Sequence, residues 1–134
     1  MDYQIKGFLK EAGNTLKEQL GETEKGNTSV FKALRSHIDN EVFVRPRHIP
    51  LGDDIDGTME RPLRAMTMQG PRVTVVRSDF IKAPFTVTVQ LKVLAHSKID
   101  FRILSEIFEY GELKGIGQWR NGSYGQFIAK LREL

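Results

Sequence analysis

The chain has 134 residues, a formal net charge of +3 and no cysteine. This length suits one domain with a hydrophobic core, and the 40% of hydrophobic residues is ordinary for a globular protein. The lack of cysteine excludes disulfides, thiolate nucleophiles and cysteine-ligated zinc, and it is typical of the cytoplasm. We see no secretory signal and no apolar run near the ~20 residues of a membrane helix, and we therefore expect a cytoplasmic protein without a membrane partner. The mild positive charge permits a nucleic-acid partner without requiring one.

The N-terminal third predicts one short strand and two helices. Residues Asp2–Ile5 are interpreted as extended, and Lys6-Gly7 then opens the first helix. Its buried face is marked by apolar residues at i, i+4 spacing: Phe8, Ala12, Leu16 and Leu20. Gly21 is expected to end this helix, and residues 21–29 form a polar loop. A shorter helix is then predicted by three apolar residues at the same spacing: Val30, Leu34 and Ile38.

Residues 39–78 are interpreted as an insertion whose second half is a basic hairpin. The segments Leu63–Met68 and Val73–Val76 predict two strands joined by a turn at 69–71. Four arginines occur here with no acidic residue between them: Arg61, Arg64, Arg72 and Arg77. The pattern indicates either a surface that contacts phosphates or a solvated sheet edge without a partner.

An acidic loop precedes this hairpin, over residues 52–57. It lacks the glycine that an EF-hand loop starting at Asp54 needs at its sixth position. We therefore predict a turn with Asp56-Gly57 at its tip and no metal site.

The C-terminal half carries the clearest periodic signals. Apolar and polar residues alternate over Phe85–Leu94, which predicts a strand with one face open to solvent. Asp100 predicts the N-cap of a helix that ends near Tyr110-Gly111, and alternation over Phe127–Arg132 predicts a closing strand. Without the insertion, the order is β-α-β-β-α-β, so we expect a single α+β domain with a ferredoxin-like core.

A glycine-rich loop lies between that helix and the closing strand. Glycines at 115, 117, 122 and 125 permit positive φ and leave backbone amides uncovered, as a phosphate-binding loop requires. Trp119 and Tyr124 offer aromatic faces on which bases can stack, and Lys114 and Arg120 offer cations. The alternative is a turn in which Trp119 packs into the core and Arg120 pairs with Glu109 or Glu112.

Two stretches give the chain a family resemblance. Ile5-Lys6-Gly7-Phe8-Leu9-Lys10 and Gly115-Ile-Gly-Gln-Trp-Arg-Asn-Gly-Ser-Tyr-Gly-Gln-Phe127 resemble the repeat-associated mysterious proteins (RAMPs) of CRISPR systems. That resemblance implies a ferredoxin-like, RNA-binding protein with Lys-Gly after its first strand and a glycine-rich loop after its last helix. The chain is also similar to small bacteriophage proteins through Arg61-Pro-Leu-Arg-Ala-Met-Thr-Met-Gln-Gly-Pro-Arg72 and the glycine-rich loop. The phage likeness implies the cytoplasm of a bacterial host.

These observations lead to one main hypothesis of function. We expect the chain to bind RNA or single-stranded DNA without a cofactor, through the loop, the start of the first helix and the hairpin. The residues expected to contact nucleic acid are Lys6, Arg64, Arg72, Arg77, Lys114, Gly115, Gly117, Trp119, Arg120, Gly122, Tyr124 and Gly125.

Two other functions stay open at this point. The chain could contact proteins, either as an inhibitor of a host defence complex or as a self-assembling homo-oligomer with an unpaired sheet edge. The third hypothesis is that the chain is a metal-independent endoribonuclease. Its general-base candidate is His48, which lies in a basic context.

Overall fold

The computed structural model describes residues 1–23, 33–52, 55–117, 120 and 123–134, and of residues 18–23 only the backbone. The described residues form three helices and two small antiparallel sheets, which confirms the α+β class. The helices are α1 (Asp2–Thr23), α2 (Leu34–Glu41) and α3 (Phe101–Lys114). The strands are β1 (Val42–Arg45), β2 (Gly57–Thr67), β3 (Gly70–Phe80) and β4 (Gln90–Val93). The chain divides into two compact units. The first unit consists of Met1–Ile49 and Val89–Leu134, and the second unit consists of Pro50–Thr88.

The first unit packs three helices and the β1–β4 sheet around one apolar core. Helix α1 contacts α2, α3 and β1, and β1 pairs antiparallel with β4, with Val42 opposite Val93 and Arg45 opposite Gln90. The fully buried side chains come from all of these elements except β4, which adds half-buried ones. The buried set is Phe8, Leu9, Ala12, Leu34, Ile38, Val42, Val44, Ile99, Ile103, Leu104 and Ile107.

Helix α1 begins at Asp2, so the strand predicted over Asp2–Ile5 is wrong. Ile5 packs against the core and extends the apolar stripe of the helix by one turn toward its start. The Asp2 carboxylate accepts a hydrogen bond from the Tyr3 amide at 2.9 Å, where an acidic group is favoured by the helix dipole. The predicted end at Gly21 is also wrong, because the helix continues to Thr23.

Helix α3 confirms its predicted start and runs past its predicted end. Asp100 Oδ1 accepts from the Ile103 amide at 2.8 Å, as an N-cap does. The helix passes through Gly111 and ends at Lys114, because Gly111 makes room for aromatic rings and does not act as a stop signal. A Cβ at Gly111 would overlap the Phe8 ring and lie 2.8 Å from the ring of Phe127.

The C-terminal segment is extended but joins no ladder. Phe127, Ala129 and Leu131 are half-buried and alternate with exposed residues, as the sequence predicts. Its backbone forms no hydrogen bond with the backbone of other described residues. The Ala129 amide instead donates to the Glu112 carboxylate at 3.0 Å, so the side chain of α3 takes the place of a neighbouring strand.

The second unit is built on a long hairpin, which we call the arm (Gly57–Phe80). The strand predicted over Val73–Val76 lies within β3, and the one predicted over Leu63–Met68 lies within β2 except for Met68, which is in the turn. The two strands pair from Gly57 opposite Phe80 to Thr67 opposite Gly70 without a bulge. The turn lies at 68–69, and Gly70 adopts a φ of 105° as β3 begins. The Phe80 ring lies over Gly57 and closes the base of the arm. In the part of the chain that is described, no helix is long and apolar enough to span a membrane.

Candidate nucleic-acid interface

The glycine-rich loop is closed at its neck by backbone contacts. The Ile116 amide donates to the Gly125 carbonyl at 2.9 Å, and the Gly115 amide caps the end of α3 by donating to the Gly111 carbonyl at 2.7 Å. Gly115 and Gly125 have φ values of 82° and 75°, a region that disfavours side chains. A Cβ on Gly115 would lie 2.7 Å from the Tyr124 carbonyl oxygen, and one on Gly125 would overlap Ile116. These two glycines therefore serve the closure of the loop.

The two cations of the loop share one carboxylate. Arg120 donates to Glu11 Oε2 at 2.6 Å and to the Gly117 carbonyl at 2.9 Å. Lys114 Nζ lies 3.8 Å from the other oxygen of Glu11. Arg120 does form an ion pair, as the alternative expects, but its partner is Glu11 of α1 and not an acid of α3. The loop is thus held to α1 by ion pairs with Glu11, and its neck is closed by a backbone hydrogen bond.

The remaining predicted loop residues divide into two groups. Gly117 has a φ of 88° and open space where a Cβ would stand, and the Tyr124 side chain is 43% exposed. Both remain accessible positions at the loop surface. Trp119 and Gly122 lie outside the described residues.

Lys6 lies in the second turn of α1 and not at its start. Its Nζ donates to the Asp39 carbonyl at 2.6 Å and lies 5.1 Å from the ring centroid of Phe43 on β1. The Asp39 carboxylate is 3.9 Å from Lys6 and 3.2 Å from Lys10. Lys6 is therefore a fixed cation beside an exposed aromatic ring, a contact that the sequence analysis did not foresee.

The arm separates its arginines between two faces. Residues directly opposite each other in an antiparallel pair lie on the same face, and neighbours along a strand alternate. Arg64 is opposite Val73 and lies on one face, whereas Arg72 is opposite Ala65 and lies on the other. The predicted single groove lined by Arg64 and Arg72 is therefore not formed by one face of the arm.

The face that carries Arg64 is exposed along its whole length. We call its central part the outer stripe, which consists of Pro62, Arg64, Met66, Val73 and Val75.

The arginines of the arm differ in how far they are engaged. Arg77 donates from Nε to Glu60 Oε1 at 2.7 Å, and Arg72 donates to the Gln69 side chain within the turn. Arg64 forms no hydrogen bond or ion pair with any described residue. An arginine without an internal acceptor keeps all of its donors for a ligand or for water. Arg64 is accordingly the most available of the predicted phosphate contacts.

His48 is exposed and forms no hydrogen bond or ion pair with the described residues. Of the other histidines, His37 contacts the Glu41 carboxylate at 2.7 Å, which also accepts from the hydroxyl of Ser97. These two hydrogen bonds, the one from Ser97 first, lower the pKa of Glu41 below its ordinary value of 4.5. Because the acid lies between the serine and the histidine, this cluster does not activate the hydroxyl as a Ser-His-Asp triad does. Among the described residues, no group of His, Asp and Glu is arranged to hold a metal ion.

The predicted site residues thus fall into both units. Lys6 and the described loop residues belong to the first unit, and the three arm arginines belong to the second.

Two positions that matter to the site were missed in the sequence. Glu11 has no role in the sequence analysis, although it binds both cations of the loop. Phe43 lies outward because Val42 and Val44 on either side of it point into the core, a period of two that the sequence already contains.

Comparisons with known proteins add no information on the function of these contacts. The chain matches no protein-family model, no curated protein and no solved structure.

Proposed function

We propose that this chain binds RNA or single-stranded nucleic acid without cutting it, and that the arm supplies the principal contacts to phosphate. The observation that carries the proposal is the outer stripe, where Arg64 stands without an internal acceptor on a fully exposed face. Between Arg61 and Arg77 the arm has no acidic residue to oppose a polyanion. Contacts to phosphate dominate the affinity of nucleic-acid-binding proteins, and arginine suits them because its guanidinium presents a rigid fork of donors.

The shape of the arm supports the same function. A two-stranded ribbon by itself is marginally stable in water and gains from a partner along its length. Apolar side chains of the outer stripe can pack against sugars and unstacked bases while Arg64 contacts the backbone. In this proposal the glycine-rich loop serves first to shape the first unit, and contact of Lys114 and Arg120 with phosphate remains a prediction.

We also propose a ferredoxin-like arrangement for the first unit. The supporting observation is the order α1, α2, β1, β4, α3, with β1 and β4 paired antiparallel and the arm inserted between them in the sequence. The extended C-terminal segment would supply a further strand of that layout. The resemblance to RAMPs and to phage proteins stays a prediction, since no comparison bears on it.

Binding to labelled oligonucleotides across a salt series tests the proposal. We expect anisotropy to report binding of single-stranded RNA or DNA that weakens steeply as salt rises, because each phosphate contact releases a counterion. The variant Arg64→Ala should lower the salt slope by about one, for the one lost contact. Lys98→Ala is a matched control, since Lys98 is an exposed cation of the first unit outside the proposed surface. No binding to any oligonucleotide at low salt contradicts the proposal.

A second candidate function is contact with another protein or with a second copy of the chain. It is favoured by the apolar part of the outer stripe, where Met66, Val73 and Val75 are 81%, 66% and 64% exposed. Exposed apolar patches of this kind mark interaction surfaces. Light scattering coupled to gel filtration tests self-association, which should weaken in Val73→Thr/Val75→Thr. If the protein is a monomer at every concentration measured, self-association is excluded as its function.

A further inference from the structure

The β1–β4 sheet of the first unit has an outer face of unusual composition. Val42 and Val44 are buried on its inner face, so Phe43 and Arg45 point outward from β1. The register places Lys92 directly opposite Phe43, and Gln90 directly opposite Arg45. All four outward side chains are exposed, so the rest of the described chain leaves this face uncovered.

Phe43 stands on this face with cations around it. Its side chain is 38% exposed, although outward positions of a one-sided antiparallel sheet are ordinarily polar. Lys6 reaches the ring from α1, and its position is fixed by the Asp39 carbonyl. Lys92 lies across the ladder from the ring, where Cβ atoms are about 5 Å apart. Arg45 follows two residues along β1, about 6.6 Å away.

The charge of this face suits an anionic ligand. Lys6, Arg45 and Lys92 place three cations on or beside this face, and the Asp39 carboxylate near Lys6 is shared with Lys10. Arg45 and Lys92 form no hydrogen bond or ion pair with described residues, so their donors are available. A flat apolar ring flanked by uncommitted cations matches the two parts of a nucleotide, its base and its phosphate.

We infer that this face is a second nucleic-acid contact, on which an unpaired base stacks against Phe43 while Lys92 and Arg45 contact the adjoining phosphates. The inference rests on the proposed function and extends it from the arm to a site in the other unit. It adds a preference that the arm alone does not provide, because a base can reach an aromatic ring only when it is not paired in a duplex. Single strands are therefore favoured over duplexes of the same length.

A short single-stranded RNA with one 2-aminopurine, bound to the full chain, tests the inference. The fluorescence of the probe changes when its base moves from its neighbours in the strand to the Phe43 ring, and anisotropy reports the affinity in parallel. Phe43→Ala should weaken binding at least about fivefold and reduce the fluorescence change, with an unchanged salt slope, because the ring carries no charge. Phe43→Tyr keeps a ring and should bind like the wild type. Phe101→Ala is the matched control, since Phe101 is 42% exposed in the same unit but lies on α3.

Two further variants and the wild type separate the possible outcomes. Lys92→Gln should lower the salt slope by about one while the fluorescence change stays, even if Phe43→Ala were to destabilise the sheet. If Phe43→Ala and Lys92→Gln both bind RNA as tightly as the wild type does, this inference is overturned, while the proposed function of the arm is unaffected. A wild type that binds no oligonucleotide overturns the proposed function and this site together. Equal affinity for duplex and single-stranded RNA overturns the preference drawn from base stacking.

Discussion

The glycine-rich loop and the arm have similar residue types, but they differ in whether their cations are bonded within the chain. Both combine cations with glycine, and neither contains an acid at its centre. In the loop, Arg120 and Lys114 are held by Glu11, and two glycines close the neck. In the arm, Arg64 meets no acceptor among the described residues and points to solvent with the outer stripe. The same residue types thus serve internal structure in one region and remain available for a ligand in the other.

The difference shows that local composition does not determine whether a cation is available. An arginine that already donates to a carboxylate must exchange that bond for one to phosphate, so its net contribution to affinity is small. An arginine that donates only to water gains a charge-assisted bond and releases a counterion. Measurements of stability should therefore respond to the loop, and measurements of binding should respond to the arm.

The largest effect on stability is expected from the neck of the loop. Gly125→Ala should lower the free energy of unfolding by about 3 kcal/mol, because it adds both a strained positive φ and an overlap with the Ile116 backbone. Gly117→Ala is the matched control, with a similar φ of 88° but open space around it, and should cost only about 1 kcal/mol. Chemical denaturation measures both. Equal losses in the two variants would mean that close packing at the neck is unimportant.

The sequence predicts most accurately the features that depend on neighbouring residues. The start of α3 at Asp100, the outward and inward alternation near the C-terminus and the hairpin were all predicted, because each has a local signature. Asp2–Ile5 was misassigned because a short segment before Lys6-Gly7 looks extended in isolation. Its helical character depends on the packing of Ile5 against the core, a contact that no local window contains.

Long-range partners could not be predicted in the same way. The alternative considered for Arg120 was a pair with Glu109 or Glu112, whereas its carboxylate partner lies 109 residues earlier in the chain. The availability of Arg64 was equally hidden, since it follows from the register that places this residue opposite Val73. Phe43 is the exception. Its outward position follows from the alternation of β1 and was readable from the sequence.

Within the arm, the two faces should differ in binding. Arg64→Ala is expected to weaken binding of single-stranded RNA about tenfold, equivalent to about 1.4 kcal/mol, because it removes an uncommitted cation from the exposed face. Arg72→Ala should have a smaller effect, since Arg72 lies on the opposite face and donates to Gln69. Anisotropy at fixed salt measures both. A larger loss in Arg72→Ala would assign binding to the other face of the arm.

The loop cations should matter more for stability than for binding. Glu11→Gln removes the charge that holds Arg120 and Lys114, and should cost about 0.5–1 kcal/mol, since all three side chains are about one-third exposed. Arg120→Ala should cost a similar amount and change RNA affinity less than threefold. Thermal unfolding and anisotropy on the same samples compare the two effects. Tighter RNA binding in Glu11→Gln would instead show that phosphate competes with this carboxylate for the loop.

The smallest expected effect concerns Glu41, a charge held internally like those of the loop. Hydrogen bonds from Ser97 and His37 lower its pKa in the folded chain, so its carboxylate stabilises the fold at neutral pH. This contribution is lost as the pH falls below the ordinary value of 4.5 and through the lower value of the folded state. Ser97→Ala removes the leading cause of the shift, and its melting temperature should therefore fall less steeply than that of the wild type as the pH falls below 4.5.

Ser105→Ala is the control for this acid-dependent step, because the Ser105 hydroxyl donates to the Phe101 carbonyl of its own helix and to no carboxylate. Its melting curve should run parallel to that of the wild type over the whole range. If Ser97→Ala also runs parallel, the hydrogen bond from Ser97 does not lower the pKa of Glu41, and this bond then joins α2 to the segment before α3 without an acid-dependent contribution. A flattening confined to Ser97→Ala assigns the acid sensitivity to this carboxylate and separates it from the Glu11 pair, which Ser97 does not touch.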